Sequence, residues 1–184
     1  MNTTTLELRG GPQTVSVNGK QRGCNVVGRA VVLDDEFTRY TLMKISWHLT
    51  PQGYPATSVN AAGGERRIAW LHEFVYENYY YGPHPPGREV DHIDRNPLNN
   101  VPKNLRLVTR SVNAANSGKQ SNNTSGYKGV SWSKQNQKWR ACIAKDSTFI
   151  HLGYFDDILD AAAAVNAAYR EHYPEVAIPN PEAD

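Results

Sequence analysis

Asp91 and His92 stand side by side, with Asn104 and Asn113 twelve and twenty-one residues beyond the histidine. These residue types suit one reaction, hydrolysis of a phosphodiester assisted by one hard divalent ion, Mg²⁺ or Mn²⁺. Asp91 offers such an ion a charged oxygen. An unperturbed histidine titrates near pH ~6.5, so His92 is mostly neutral at cellular pH and able to take a proton from water. Asn104 is expected to orient the imidazole, through the ring or its backbone, and Asn113 to give the metal a second protein oxygen. Water and phosphate oxygens would fill the ion's other positions, and the metal would stabilise the leaving 3′ oxygen after in-line attack. Asparagine is also common in turns and caps for structural reasons, so the weight rests on the four positions together and on the charge of the neighbouring chain.

That neighbouring chain is basic. Residues 1–102 carry ten basic and ten acidic side chains. Residues 103–145 carry nine basic ones (Lys103, Arg106, Arg110, Lys119, Lys128, Lys134, Lys138, Arg140, Lys145) and no acid, and residues 146–184 carry one basic and eight acidic. A solvated surface normally mixes signs, so the middle stretch points to a polyanion, whose phosphates release counterions when neutralised.

The elements that must position these residues are short. Thr14 to Val17 alternate, Asn18-Gly19 is a hairpin signal and Val26 to Leu33 is rich in β-branched residues. Gly63-Gly64 turns between Ala56–Asn60 and Arg67–Leu71, and His72 to Tyr80 reads as a short helix ended by Pro83, Pro85, Pro86 and Gly87. Val90 to Ile93 and Leu105 to Thr109 are expected strands. Between them lies an Asn-Pro-rich loop, and after them a helix capped by Ser111 that carries Asn113. This order predicts a small ββα unit at 88–117, at the end of a domain spanning 1–117 with a β-rich lead-in. Residues 118–126 read as a polar linker. Strands at Tyr127–Ser133, Trp139–Lys145 and Thr148–Tyr154 and a helix from Asp156 to about Tyr173 predict a second domain at 127–173. It would be a three-stranded antiparallel sheet packed on one alanine-rich helix, followed by a disordered acidic tail at 174–184. The fold class is α+β. The 184 residues suffice for one or two small cores. Cys24 and Cys142 form no CxxC pair, which argues against a disulfide framework or structural zinc. No segment reaches the roughly 20 apolar residues that span a bilayer and the start lacks a basic, apolar leader, so a cytoplasmic protein is expected, of a bacterial or phage-infected cell.

Two resemblances sharpen this reading. Leu71-His72, Glu89-Val90-Asp91-His92-Ile93-Asp94, Asn99-Asn100, Asn104-Leu105-Arg106 and Thr109-Arg110-Ser111-Val112-Asn113 resemble the His-Asn-His (HNH) nucleases of the phage and intron homing-endonuclease kind. The likeness covers about residues 30–117, with Asp34-Asp35-Glu36, Trp47 and Gly53-Tyr54 as lead-in. It implies a ββα-metal fold with Asp91 and Asn113 as metal ligands, His92 as general base and Asn104 as the orienting residue. The last position, Asn113, departs from the histidine that names the family. His72 is expected to serve structurally between the helix and the ββα unit, and His84 has no assigned role. His72, His84 and His92 lack the short spacing of a zinc site.

The second resemblance runs over 124–173. Ser125-Gly126-Tyr127-Lys128-Gly129-Val130-Ser131-Trp132, then Lys138-Trp139-Arg140-Ala141, then His151-Leu152-Gly153-Tyr154-Phe155-Asp156 are similar to the Apetala-two (ethylene-response-factor) DNA-binding domain. It implies a sheet in the major groove of double-stranded DNA, with a DNA face of Lys128, Ser131, Ser133, Arg140 and His151 and with Lys134, Lys138 and Lys145 nearby. Alternation along 139–144 independently puts Arg140 opposite Trp139, and a guanidinium can bond guanine in two places. The expected function is a DNA endonuclease that nicks one strand as a monomer. The alternatives are a non-catalytic DNA-binding regulator on a decayed nuclease fold and an RNA-directed nuclease, against which the groove-reading sheet speaks.

Overall fold

Short β-branched runs broken by Gly, Pro and Asn produce ten strands and four helices among the residues that the computed structural model describes, 2–10, 26–60, 63–80 and 82–181. The expected strand at Thr14–Val17 and the Asn18-Gly19 turn lie outside them. None of the helices described is long and apolar enough to cross a membrane. The chain divides into two compact units, Met1–Pro86 with Val90–Leu107, and Gly87–Glu89 with Val108–Asp184.

In the first unit a five-stranded sheet has the order β2-β1-β3-β4-β5, from β1 (Thr3–Gly10), β2 (Val26–Leu33), β3 (His48–Leu49), β4 (Pro55–Asn60) and β5 (Arg66–Trp70). β1 runs antiparallel to β2 and parallel to β3, and the β3–β4 and β4–β5 pairs are antiparallel. A short helix α1 (Glu36–Tyr40), capped by Asp35, follows β2, and α2 (Leu71–Tyr79) follows β5 directly. Leu6, Leu8, Ala30, Val32, Leu42, Trp47, Leu71, Val75, Val90 and Leu105 close one core. Burying such side chains stabilises by roughly 1.5–3 kcal/mol each. The buried Trp47 also satisfies its indole N–H on Leu42 O at 3.0 Å.

β6 (Arg88–His92) and β7 (Leu105–Thr109) pair as a separate two-stranded sheet, and α3 (Arg110–Asn116) starts where β7 stops. The order strand, loop, strand, helix is the expected one. The cap is not: Thr109 Oγ1 accepts from Val112 N, while the Ser111 hydroxyl is hydrogen-bonded to Tyr173 and accepts from Asp146 N. A hydroxyl with a tertiary partner leaves the capping position to the residue that ends the strand.

The second unit holds an antiparallel sheet of order β10-β9-β8, from β8 (Val130–Ser133), β9 (Lys138–Lys145) and β10 (Thr148–Phe155), under α4 (Ile158–His172). Ala161, Ala162, Val165, Ala168 and Tyr169 of α4 meet Val130, Ala141 and Ile143 in its core. The small side chains let the helix approach closely. At Gly129 (φ 76°) an added Cβ would stand 2.6 Å from Cys142 O and 3.1 Å from Val165, so both the backbone angle and the space demand glycine. Asp157, rather than Asp156, caps α4 by accepting from Leu159 N. The segment read as a linker is tied by side chains: Ser125 Oγ donates to Val130 O at 2.7 Å, and Asn123 Oδ1 accepts from Gly126 N at 2.8 Å. Residues read from composition as a disordered tail carry Val176 and Asn180 into the interior, where Asn180 accepts from Lys128 N and donates to Lys128 O. Two buried apolar or satisfied groups outweigh the polar composition around them.

Candidate active site

Asp91 and His92 end β6 and are both buried. Asp91 Oδ2 accepts from Arg106 Nε at 2.9 Å and lies 2.9 Å from Arg106 Nη2. Arg106 is on β7, so strand pairing brings the guanidinium to the carboxylate.

After His92 the chain turns tightly. Arg95 adopts a positive φ of 62°, and its N–H donates to His92 O at 2.9 Å. Asp94 organises the loop: Oδ1 accepts from Asn96 N and Asn104 Nδ2, and Oδ2 from Asn99 Nδ2. Burial opposes the charge of Asp94, yet these hydrogen bonds hold its carboxyl below the usual carboxylate range. Asn104 acts on backbone rather than on the ring. Its O accepts from Ile93 N at 2.9 Å, its Oδ1 accepts from Asp94 N at 3.1 Å and its Nδ2 also donates to Asn99 O. It thus clamps the two residues after His92.

The ring of His92 meets Asn100, with Nε2 3.2 Å from Asn100 Oδ1. Asn100 is fully buried. Its N–H donates to Val31 O at 2.8 Å, Val31 N donates to Leu98 O at 2.7 Å, and its own Nδ2 donates to Pro97 O at 3.0 Å. The loop is therefore bound to the edge strand β2 of the large sheet. Burial lowers the His92 pKa, opposed by the Asn100 hydrogen bond and the charges of Asp94 and Asp91.

On another side His92 faces aromatic rings. His72, the second residue of α2, is 5.1 Å from it between ring centroids, and Tyr54 is 6.1 Å away. Tyr54 and Trp70 stand 6.1 Å apart, edge to face, and both adjoin His72. His72 is 8 % exposed and its Nδ1 has no hydrogen-bond partner among the described residues. Burial, then the neighbouring charges of His92 and His84, lower its pKa to about 3.

The second unit carries Asn113 in the first turns of α3, its Nδ2 donating to Glu89 Oε2 at 2.6 Å. On the three-stranded sheet, the pairs Ser131–Arg140, Ser133–Lys138, Cys142–His151 and Arg140–Tyr154 place Ser131, Ser133, Lys138, Arg140 and His151 on the face away from α4. Lys138 is also 3.0 Å from Asp156 Oδ2. Lys134 is exposed in the β8–β9 turn. Two other lysines are turned inward. Lys128 Nζ donates to Ala115 O at 2.7 Å and to Ser117 O at the end of α3, over the Tyr169 ring, and Lys145 alternates with Arg140 and has its Nζ 3.4 Å from His172 Nδ1.

Sequence reasoning missed Asn100, Arg106 and Glu89 as partners of site residues. Asn100 belongs to the quoted Asn99-Asn100 pair, but only its anchor on β2 distinguishes it from a turn residue.

Among the described residues no three of His, Cys, Asp or Glu gather as a self-sufficient metal cage. The buried carboxylate of Asp91 is a hard oxygen, the kind of donor that suits an ion such as Mg²⁺ or Mn²⁺ that keeps water and phosphate in its shell.

Comparison with known proteins agrees with this chemistry. The HNH endonuclease family model matches residues 69–115. Protein 3.8 of Escherichia phage T7 is 38% identical over 96 residues, 52% of this chain and 78% of the phage protein. An uncharacterized HNH endonuclease of Acanthamoeba polyphaga mimivirus is 34% identical over 137 residues, 74% of this chain and 67% of its own length. The residues matched include the strand, loop, strand and helix described above, and the chain belongs to the HNH endonuclease family.

Proposed function

We propose that this HNH chain is a divalent-metal-dependent DNA endonuclease that nicks one strand of double-stranded DNA, acting as a monomer, with His92 as general base. The observation that carries the reading is the Asn100 contact. Asn100 Nδ2 donates to Pro97 O, so the atom facing His92 is the carbonyl oxygen, which only accepts. His92 Nε2 therefore holds the ring proton, and Nδ1 is the basic nitrogen. Burial keeps the ring neutral and ready to receive a proton at physiological pH. Nδ1 takes a proton from water, the resulting hydroxide forms a bond to phosphorus, and the P–O3′ bond breaks.

Asp91, with Asn113 as the second protein oxygen, would hold Mg²⁺ or Mn²⁺, which stabilises charge on the phosphate and the leaving oxygen when bound. Arg106 fixes the Asp91 carboxylate through Nε and Nη2, each 2.9 Å from Oδ2. Asn104 fixes the backbone beyond His92. The sheet of the second unit is read as the groove-facing element similar to an Apetala-two domain. Arg140 would be the base contact and Ser131, Ser133, Lys134, Lys138 and His151 its neighbours. Lys128 and Lys145 serve structure in this reading.

The test is supercoiled plasmid with Mg²⁺ or Mn²⁺. Wild type is expected to yield open circles and His92→Ala none. If neither protein cuts while both retard DNA on a gel, the chain is a non-catalytic DNA-binding protein.

A further inference from the structure

We infer that Tyr54, backed by Trp70, is a stacking subsite for the nucleoside that flanks the scissile phosphate, an inference that rests on the nuclease reading above. Tyr54 is 37 % exposed, although Pro55, Ala56 and Thr57 directly after it are all buried. Trp47 in the same unit is, by contrast, 1 % exposed. Tyr54 is nevertheless held firmly. Thr50 N donates to Tyr54 O at 2.9 Å, Tyr54 N donates to Thr50 Oγ1 at 3.1 Å, and Gly53 closes the turn at φ 86° with its N–H on Thr50 O. The Trp70 indole meets the Tyr54 ring at 81° and fixes its tilt. Trp70 is itself fixed, since it pairs with Ala56 and stands at the start of α2.

A rigid turn and a tryptophan thus hold a partly exposed aromatic ring beside the proposed general base. The Tyr54 ring is only 6.1 Å from the His92 ring between centroids. A phosphate placed for attack by a His92-activated water therefore has its neighbouring nucleoside within reach of Tyr54. Every base offers a π face, so such stacking tolerates sequence. Within an intact duplex both faces of a base are covered, so the subsite takes a nucleoside of the cleaved strand lifted from its neighbours.

Two measurements on the full chain test this, with Tyr54→Ala, Tyr54→Leu and Tyr54→Phe. The first is the KM and kcat of nicking in Mn²⁺. The second, in EDTA so that nothing is cut, is fluorescence quenching of an oligonucleotide carrying 2-aminopurine. Tyr54→Ala and Tyr54→Leu are expected to raise KM roughly 5- to 100-fold, with kcat close to wild type, and to lose the quenching. Tyr54→Phe should match wild type in both, and all three should melt as wild type does. Wild-type KM and quenching in Tyr54→Leu, or a Tyr54→Phe as impaired as Tyr54→Ala, overturns the subsite. A wild type that fails to nick but quenches in a Tyr54-dependent way overturns the nuclease reading and leaves the subsite standing.

Discussion

Asn100 meets the His92 ring and Arg106 meets the Asp91 carboxylate, and the two partners do different work. In the proposed mechanism Asn100 fixes which nitrogen of His92 is basic, and its hydrogen bond raises the His92 pKa against the effect of burial. Asn100→Ala is therefore expected to lower kcat by about 10- to 100-fold, the usual cost of losing a partner behind an active group. It should also shift the acid limb of the pH–rate profile. In the proposed mechanism the base works deprotonated, so activity is expected to fall as pH drops through the His92 pKa. That limb lies below the ordinary histidine value of 6.5 in wild type and moves lower still in Asn100→Ala. A limb that stays put while kcat falls would mean Asn100 acts on packing alone. Arg106 instead balances a buried charge. Arg106→Met leaves Asp91 buried without its guanidinium and should cost on the order of 3 kcal/mol in urea unfolding. Added Mn²⁺ should recover more stability in this variant than in wild type, because the ion then supplies the missing positive charge. Equal gains in both proteins would detach Asp91 from the metal.

At the scale of elements, α2 brings a second histidine to the first in a state that is costly at low pH. His72 is held neutral, with its pKa lowered to about 3, while in the unfolded chain it titrates near 6.5. Between those values the unfolded state binds a proton that the folded state does not. Stability therefore falls as pH drops from 6.5 toward 3, by on the order of 1.4 kcal/mol per pH unit from this group, and is unaffected by it above 6.5. Urea unfolding at pH 7, 6 and 5 should show this slope in wild type and a shallower one in His72→Phe. Parallel slopes would place the acid sensitivity elsewhere. Elements such as β9 and α4 were legible in the sequence because alternation and helical spacing are local patterns, and the parity of Trp139 and Arg140 follows from them. Asn100 was not. What singles it out is hydrogen bonding to Val31, far earlier in the chain, and nothing in Asn99-Asn100 encodes that partner. Ser111 and the 174–181 segment were misread for the same reason, since tertiary hydrogen bonds to Tyr173, Asp146, Asn166 and Lys128 decide their places.

At the scale of the whole molecule, the charge pattern points to a polyanion partner, but not to which lysines would meet it. Nine basic residues without an acid run from Lys103 to Lys145. The structure separates them by where their heads go. Arg140 is exposed on the outward sheet face, whereas Lys128 delivers its ammonium to carbonyls at the end of α3, where the helix dipole favours a cation. The two therefore differ in how they answer to salt. Each phosphate neutralised adds about −0.9 to the slope of log K against log salt. Arg140→Ala should lose on the order of 1–3 kcal/mol of binding to a preferred sequence and less on bulk DNA if it reads a base. If it meets only a phosphate, the loss is equal on all sequences and the slope falls by about one. Lys128→Met should leave both affinity and slope near wild type and lower the unfolding free energy instead, by on the order of 1–3 kcal/mol for carbonyls left without their donor. Filter binding of the two variants across a salt series, with urea unfolding alongside, separates the roles. A Lys128→Met protein with wild-type stability and a flattened slope would move Lys128 onto the DNA, and the outward face drawn from strand register would have to be redrawn to include it.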